Sequence, residues 1–169
     1  VQAEPILYDG NASVNEAQVK EKLGQDMSAR IIIGELPEAV MEILDLVVLS
    51  PGVPTDLPVI AAMRARNIPV WGEVELAYRN GRGQVLAITG TNGKTTTTSR
   101  LGDIMRLHQE SVFVVGNIGM PYTDAVPRMR EDSVTVAEIS SFQLETIEAF
   151  HPSVSAILNI TPDHLNRHH

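Results

Sequence analysis

Short apolar runs recur along the chain and alternate with stretches of helical spacing. The runs are rich in valine and isoleucine and predict strands at 6–8, 31–33, 46–49, 69–71, 85–88, 112–115, 134–137 and 154–160. Helices are predicted between them at 14–23, 39–44, 57–66 and 74–78, with another after residue 94. Short β-branched runs that alternate with helices are typical of a parallel sheet covered on both faces. The pattern therefore predicts an α/β fold.

Two local signals refine this pattern. Ser13 is predicted to cap the first helix, because Glu16 follows three residues later and completes a capping box. The clearest interruption of the chain is N-G-R-G at 80–83, which has two glycines and no apolar periodicity. Such a break is typical of a linker between domains. We therefore predict one domain over residues 1–82 and a second over residues 83–169.

The composition limits the classes of function. The 169 residues carry a net charge of −8, which argues against a general affinity for nucleic acid or anionic membranes. The chain has no cysteine, so disulfides and thiolate metal sites are excluded. No apolar run approaches the ~20 residues that span a bilayer, and the N-terminus has no secretory signal pattern. We expect a cytoplasmic protein that does not insert into membranes.

The segment G-T-N-G-K-T-T at 90–96 directly follows the apolar run 85–88. Glycines let backbone N–H groups approach an anion, and the N-terminus of a following helix adds a favourable dipole. Lys94 would reach the terminal phosphates of a nucleotide, and Thr95 or Thr96 would hold Mg²⁺. The Walker pattern is incomplete, because Ile88 stands where its first glycine is expected. The spacing favours a nucleotide-binding loop, with a plain strand–turn–helix corner as the alternative. The predicted loop residues are Gly90, Thr91, Asn92, Gly93, Lys94, Thr95 and Thr96.

Three further motifs follow predicted strands, at the sheet edge where open α/β sheets bind ligands. They are G-N-I-G at 116–119, E-I-S-S-F-Q-L-E at 138–145 and N-I-T-P-D-H-L at 159–165. The two glycines around Asn117 suit a turn next to a ligand, although such a sequence is equally consistent with a simple turn. Each motif is therefore a candidate for the same site.

Glu138 follows the run 134–137 and should emerge at the carboxyl edge of the sheet. A carboxylate there, beside a phosphate loop, is a usual ligand of Mg²⁺ that is bound to nucleotide phosphates. The alternative is an acidic residue that favours a helix dipole. Ser140 or Ser141 is a predicted helix N-cap, and Glu145 is predicted to lie on a solvated helix face.

His164 follows Pro162 and Asp163, where regular structure should stop. Its neutral nitrogen would suit a metal, with Asp163 orienting the ring from behind. A histidine that merely starts a capped helix is the alternative interpretation. A Ser–His–Asp hydrolase is disfavoured, because the chain has no G-x-S-x-G segment.

Taken together, these motifs resemble the Mur ligase family of ATP-dependent enzymes that form amide bonds. The loop G-T-N-G-K-T-T is shared across that family. The segment E-I-S-S-F-Q-L-E is similar to the branch that adds D-glutamate to UDP-N-acetylmuramoyl-L-alanine, and G-N-I-G and N-I-T-P-D-H-L-N-R-H agree with it. The resemblance covers essentially the whole chain. The alternatives are a sibling ligase with another amino acid, a folylpolyglutamate synthase, and a nucleotide- or UDP-sugar-binding module without chemistry.

The resemblance implies a Rossmann-like N-terminal domain for the UDP sugar, a central P-loop-type ATPase domain with a parallel sheet, and a C-terminal domain for the amino acid. By this comparison the chain is a fragment that begins at the second strand of the first domain and ends within the central domain. ATP and Mg²⁺ are the implied cofactors, and the implied chemistry activates the substrate carboxylate as an acyl phosphate. We also expect the uncovered edge of the N-terminal sheet to favour self-association.

The resemblance also assigns roles to individual residues. The implied catalytic residues are Lys94, Glu138 and His164, and the implied magnesium ligands are Thr95, Glu138 and His164. Asp9 would contact the uridine, and the substrate-binding residues together are Asp9, Ser50, Gly52, Asn117, Ser140, Ser141, Gln143 and His164. Two positions depart from the family: no lysine follows Lys94 to supply the carbamylated lysine that bridges a magnesium ion, and Asn166 stands where aspartate is expected. We therefore expect this stretch to be inactive alone.

Overall fold

A computed structural model describes residues 3–23 and 29–168, except for the side chains of Asn166 and His168. The strands are β1 Ile6–Asp9, β2 Arg30–Ile33, β3 Val47–Leu49, β4 Val70–Gly72, β5 Gln84–Thr89, β6 Val112–Gly116, β7 Val134–Glu138 and β8 Val154–Ile157. The α-helices are α1 Glu16–Leu23, α2 Glu38–Met41, α3 Pro58–Ala65, α4 Glu73–Asn80, α5 Lys94–Arg106, α6 Tyr122–Ala125, α7 Ser141–Leu144 and α8 Leu165–His168, and a 3₁₀ turn covers Val126–Arg128. The described strand pairs are all parallel, which confirms the predicted α/β fold with parallel sheets.

The first compact unit is Val1–Asp45. Its strands β1 and β2 pair in parallel, with Asp9 opposite Ile33 at the carboxyl end. The N-cap of α1 is Asn15, whose side-chain oxygen accepts a hydrogen bond from the Ala17 N–H at 3.0 Å. The predicted Ser13 cap is therefore wrong, because the helix begins two residues later than that cap requires.

The second compact unit is Leu46–His169. It contains the parallel pair β3–β4 and a four-stranded parallel sheet in the order β6-β7-β5-β8. The predicted domain boundary at 82/83 falls inside this unit, where residues 81–83 connect α4 to β5. The two compact units divide earlier, between residues 45 and 46. Helix α4 belongs to the second unit, because Val74 and Ala77 pack in the core on the sheet.

The core of the second unit lies on the four-stranded sheet. Strand β7 is buried along its whole length, which explains its nearly continuous apolar sequence. One face of the sheet is covered by α4 and α6, whose buried side chains share a cluster with β5, β6 and β7. Helix α5 packs against β6 and β7, with Gly102 in close contact with Val114. No helix among the residues described is long and apolar enough to cross a membrane.

Because the strands are parallel, the connections after β5, β6 and β7 and the segment after β8 all start at one edge of this sheet. The chain crosses the sheet in opposite directions when it passes from β5 to β6 and from β7 to β8. Glu138 at the end of β7 stands between Ile88 of β5 and Gly116 of β6. Parallel sheets bind ligands at the carboxyl edge where such connections diverge. The fold therefore brings the predicted motifs together at that edge.

Candidate functional site

A cavity of about 710 Å³ opens at the carboxyl edge of the four-stranded sheet. Its size lies within the roughly 300–1,000 Å³ that is usual for small-molecule sites. The residues that line it come from the turn after β3, the loop after β5, the start of the turn after β6, helix α7 and the segment after β8. Every motif singled out in the second predicted domain therefore contributes to one cavity.

The loop after β5 has the geometry of an anion-binding turn. Gly93 is the N-cap of the thirteen-residue helix α5 and has a φ angle of +84°. That left-handed conformation is strained for most residues with a Cβ atom, so glycine is favoured here. Lys94 is the first helical residue, which places the loop at the positive end of the helix dipole.

The Lys94 side chain folds back over this loop. Its Nζ atom donates hydrogen bonds to the carbonyl oxygens of Gly90, at 2.6 Å, and Thr91, at 3.0 Å. Both acceptors are neutral, and an anion would form a stronger, charge-assisted hydrogen bond with the ammonium group. The lysine is therefore held where a phosphate group can compete for it.

The segment after β8 is hydrogen-bonded to the same loop. The Asn159 side chain accepts a hydrogen bond from the Asn92 N–H at 2.8 Å and donates one to the Asn92 carbonyl at 2.9 Å. The Thr91 hydroxyl donates to the Thr161 carbonyl at 3.1 Å and accepts from the Thr161 N–H at 3.0 Å. Asn159 and Thr161 lie in the candidate motif at 159–165, but neither was predicted to have a role of its own. An amide side chain near the end of an apolar run was the available signal.

Glu138 is fully buried at the end of β7. Its Oε1 atom accepts a hydrogen bond from the Asn117 side-chain amide at 2.7 Å. Its Oε2 atom is buried and has no hydrogen-bond partner in the part of the chain that the structure describes. A buried carboxylate oxygen without a partner is costly, and a cation would satisfy it. This residue therefore fits the role of an Mg²⁺ ligand.

The other predicted magnesium ligands are more exposed to solvent than Glu138. Thr95 and Thr96 are exposed in the first turn of α5, and His164 is exposed after β8. Among the described residues, no three His, Cys, Asp or Glu side chains are close enough to form a metal site. Mg²⁺ usually keeps several waters and binds one or two carboxylates together with substrate phosphates. The donors present fit that mode of binding and do not form an all-protein cage.

Helix α7 begins with a capping box. Ser140 is its N-cap, and the serine oxygen accepts a hydrogen bond from the Gln143 N–H at 3.3 Å. In return, the Gln143 side-chain oxygen accepts the Ser140 N–H at 2.9 Å. The predicted N-cap at Ser140 is confirmed, whereas Ser141 is the first helical residue. The Gln143 side chain is buried and engaged in this cap.

His164 lies in the segment between β8 and α8. Its φ angle of +49° is in the left-handed region, and its N–H donates to the Asp163 carboxylate at 2.8 Å. The imidazole ring packs on Phe142, with 4.8 Å between ring centroids. Its Nε2 atom lies 3.8 Å from Asp163 Oδ2. The tight Asp163–His164 turn and the Phe142 ring together hold the imidazole at the cavity wall.

The structure thus brings together about half of the predicted site residues as cavity lining. These are Gly52, Gly90, Thr91, Lys94, Asn117, Ser140, Ser141 and His164. Other predicted residues lie in the same loops, strand ends and helices without lining the cavity: Ser50, Asn92, Gly93, Thr95, Thr96, Glu138 and Gln143. Asp9 lies in the first compact unit, where its carboxylate accepts a hydrogen bond from the Asn11 N–H at 2.9 Å.

Comparison with known proteins identifies the family. Residues 88–169 match the sequence profile of the Mur ligase middle domain. The whole chain is 60% identical, over 169 residues, to the UDP-N-acetylmuramoylalanine–D-glutamate ligase of Lachnospira eligens and covers 37% of that protein. It is 59% identical over 167 residues to the ligase of the same name from Lachnoclostridium phytofermentans, with 99% of this chain and 37% of the relative covered.

A third relative of the same name, from Clostridioides difficile, is 53% identical over 141 residues, which is 83% of this chain and 31% of the relative. The chain therefore spans about 37% of the length of the first two of these curated relatives. The profile match includes all the segments that form the cavity except the turn after β3, and the identity to these ligases extends over the rest of the sequence. The chain belongs to the Mur ligase family.

Proposed function

We propose that this chain supplies the ATP site and part of the substrate site of a ligase that adds D-glutamate to UDP-N-acetylmuramoyl-L-alanine. One observation carries the proposal: the loop with Lys94 and the unpaired carboxylate oxygen of Glu138 follow neighbouring strands at the same sheet edge. A phosphate-binding loop beside a carboxylate that fits Mg²⁺ is the arrangement that phosphoryl transfer requires. The names of the relatives support the choice of substrates.

In the proposed reaction, a carboxylate oxygen of UDP-N-acetylmuramoyl-L-alanine attacks the γ-phosphorus of ATP, and ADP leaves. The amine of D-glutamate then attacks the carbonyl carbon of the acyl phosphate, and phosphate leaves as the amide forms. Lys94 is proposed to exchange its two carbonyl acceptors for phosphate oxygens and so to stabilise the charge on the transferred group. The backbone N–H groups of the loop would bind the same phosphates.

Thr95 or Thr96, Glu138 and His164 are the residues proposed to hold Mg²⁺. When bound, Mg²⁺ supplies charge neutralisation on the phosphate oxygens. Asn117 donates a hydrogen bond to Glu138 and so orients that carboxylate. Ser140, Ser141 and the turn at Ser50 and Gly52 are proposed to contact the UDP-linked substrate, with Asp9 at the uridine. The use of ATP agrees with the cytoplasmic location predicted from the composition.

The proposal is tested by measuring phosphate release from ATP and Mg²⁺ with the protein expressed from its complete reading frame. UDP-N-acetylmuramoyl-L-alanine is supplied together with a panel of L- and D-amino acids. We expect release that depends on D-glutamate and is lost in Lys94→Met. The matched control is Lys20→Met, which removes an exposed lysine paired with Glu16 on α1. We expect that variant to retain the wild-type rate.

The other outcomes separate the alternatives. Release that depends on a different amino acid would assign the protein to a sibling ligase of the family. Absence of release with every amino acid, despite binding of ATP, would favour a nucleotide-binding module without chemistry. We expect residues 1–169 alone to release no phosphate, because the family's bridging lysine has no counterpart after Lys94.

A further inference from the structure

Arg167 in α8 forms a bidentate ion pair with Glu145, which directly follows α7. The Nε atom of Arg167 is 3.0 Å from Oε1 of Glu145, and Nη2 is 2.7 Å from Oε2. The side chains are only 17% and 22% exposed, whereas those of the surface pair Arg130–Asp132 are 54% and 67% exposed. Such parallel pairs are among the stronger hydrogen-bonded contacts in proteins and fix orientation as well as distance.

The same guanidinium group holds the turn after β3. Its Nη1 atom donates to the Pro51 carbonyl at 3.3 Å, and Nη2 donates to the Val53 carbonyl at 3.2 Å. The Thr55 hydroxyl donates to Glu145 at 3.4 Å, so both members of the ion pair contact this turn. Pro51 and Gly52 of the turn line the cavity.

Arg167 also packs on the aromatic ring that supports His164. Its guanidinium carbon lies 4.4 Å from the centroid of the Phe142 ring. The imidazole of His164 packs on the same ring at 4.8 Å between centroids. One side chain therefore connects three parts of the cavity wall: the turn after β3, helix α7 and the segment that carries His164.

We propose that Arg167, held by Glu145, is a positioning residue that fixes the Pro51–Gly52 turn against His164 so that the wall is preformed for the UDP-linked substrate. The inference rests on the proposed function, because it takes that substrate as the ligand at this turn. None of the Arg167 contacts described above reaches the phosphate loop. Loss of the Arg167 contacts should therefore weaken binding of the UDP-linked substrate and leave ATP binding largely unchanged.

The geometry requires arginine at this position. Four hydrogen bonds use all three nitrogen atoms of one planar guanidinium group, with Nη2 donating twice, and the fifth contact uses the face of the group. A lysine keeps the positive charge but presents a single ammonium group. That group cannot form the two parallel hydrogen bonds to Glu145 and cannot stack on the Phe142 ring as a planar guanidinium does. Arg167→Lys therefore separates geometry from charge.

The test measures, in the full-length protein, the KM for UDP-N-acetylmuramoyl-L-alanine and for ATP in wild type, Arg167→Lys and a matched control. The control is Arg130→Lys, because Arg130 forms a bidentate pair with Asp132 at 2.9 and 3.1 Å but is exposed. We expect Arg167→Lys to raise the KM for the UDP-linked substrate about tenfold and the KM for ATP less than about twofold, since small displacements of positioning groups have effects of this order. Arg130→Lys should change neither value.

Calorimetric dissociation constants for the UDP-linked substrate and for a non-hydrolysable ATP analogue are measured on the same variants. If the wild type binds both ligands without turnover, the proposed reaction is wrong, and the same selective loss in the dissociation constants would still support the positioning role. Equal weakening for both ligands in Arg167→Lys, with a lower melting temperature, would show a general structural role and overturn the inference. Unchanged constants, or no binding of the UDP-linked substrate by the wild type, would overturn it as well.

Discussion

At the scale of single residues, Glu138 carries the clearest chemical signal in the site. One of its carboxylate oxygens is paired with Asn117, and the other is buried without a partner among the described residues. Leaving a buried polar group unsatisfied costs about 1–3 kcal/mol, and more when it is charged. A bound cation would remove this cost, which is the reason for proposing Glu138 as a ligand of Mg²⁺.

The Glu138→Gln variant tests this assignment through stability. Glutamine keeps the acceptor for Asn117 and replaces the unpaired charged oxygen with a neutral amide, which costs less to bury. In EDTA we expect the full-length variant to melt at the same temperature as wild type or higher. With Mg²⁺ and an ATP analogue, wild type should gain stability by mass action and the variant should gain less.

The control for this experiment is Glu110→Gln at an exposed position after α5, which should behave as wild type in both buffers. A lower melting temperature of Glu138→Gln in EDTA, combined with full stabilisation by Mg²⁺ and nucleotide, would contradict the assignment. That result would make Glu138 a structural acceptor for Asn117.

Single residues also show why part of the site could be predicted. Lys94 and Glu138 were found because each follows an apolar strand, and the end of a buried strand fixes the sheet edge at which a side chain lies. Glu145 was predicted on a solvated helix face, and that prediction is wrong. Its partner Arg167 is 22 residues away, and a pairing over that distance leaves no periodic trace in the sequence.

At the scale of elements, the strands were predictable because they are short, β-branched and buried. The main difference is β8, which was predicted over 154–160 and ends at Ile157. The Leu158 N–H still bonds to the Thr89 carbonyl, but Asn159 then turns to hold the phosphate loop. A polar contact with a distant loop therefore ends the strand before its apolar sequence ends, and hydrophobic patterning does not record such contacts.

Helix α4 contains a second buried carboxylate, which serves stability. Glu75 is fully buried and accepts hydrogen bonds from the N–H groups of residues 148–150 at 2.8, 2.8 and 3.0 Å, and from Arg79 Nε at 2.6 Å. Burial alone would raise the pKa of Glu75, but the three backbone donors and Arg79 stabilise the carboxylate and bring its pKa below 4.5. The carboxylate thus ties α4 to the segment before β8.

The lowered pKa of Glu75 determines the direction in which the free energy of unfolding changes with pH. Because the folded-state pKa lies below the ordinary value of 4.5, the carboxylate contributes its full stabilisation above that pH. The contribution is lost as the pH falls below 4.5 through the folded-state pKa. We expect Glu75→Gln to lower the free energy of unfolding at pH 7 by about 2 kcal/mol, the loss typical of charged hydrogen bonds.

The measurement is urea unfolding of the full-length protein at pH 7 and at several values below pH 4.5. The difference between wild type and Glu75→Gln should shrink as the pH falls. Glu131→Gln, which removes one partner of an exposed ion pair 3.6 Å from Arg82, should match wild type at pH 7. A difference between wild type and Glu75→Gln that stays constant across the pH range would contradict the role given to the Glu75 carboxylate.

At the scale of the whole molecule, the compact units divide the chain differently from its glycine-rich break. Residues 80–83 have the composition of a linker, yet the helix before them supplies buried side chains to the core of the second unit. Local composition indicates where the backbone can turn. The boundaries of compact units depend instead on which apolar side chains pack against each other. The predicted self-association of this stretch stays a prediction, which the sedimentation velocity of residues 1–169 would test.

We propose that the site transfers the γ-phosphoryl group of ATP to a substrate carboxylate. The most direct measurement labels the alanyl carboxylate of UDP-N-acetylmuramoyl-L-alanine with ¹⁸O and follows the label in the released phosphate, using the full-length protein, ATP, Mg²⁺ and D-glutamate. We expect one labelled oxygen in each phosphate, because that oxygen bridges carbon and phosphorus in the acyl phosphate. Phosphate without label would mean that water accepts the phosphoryl group, and the proposed ligase chemistry would be wrong.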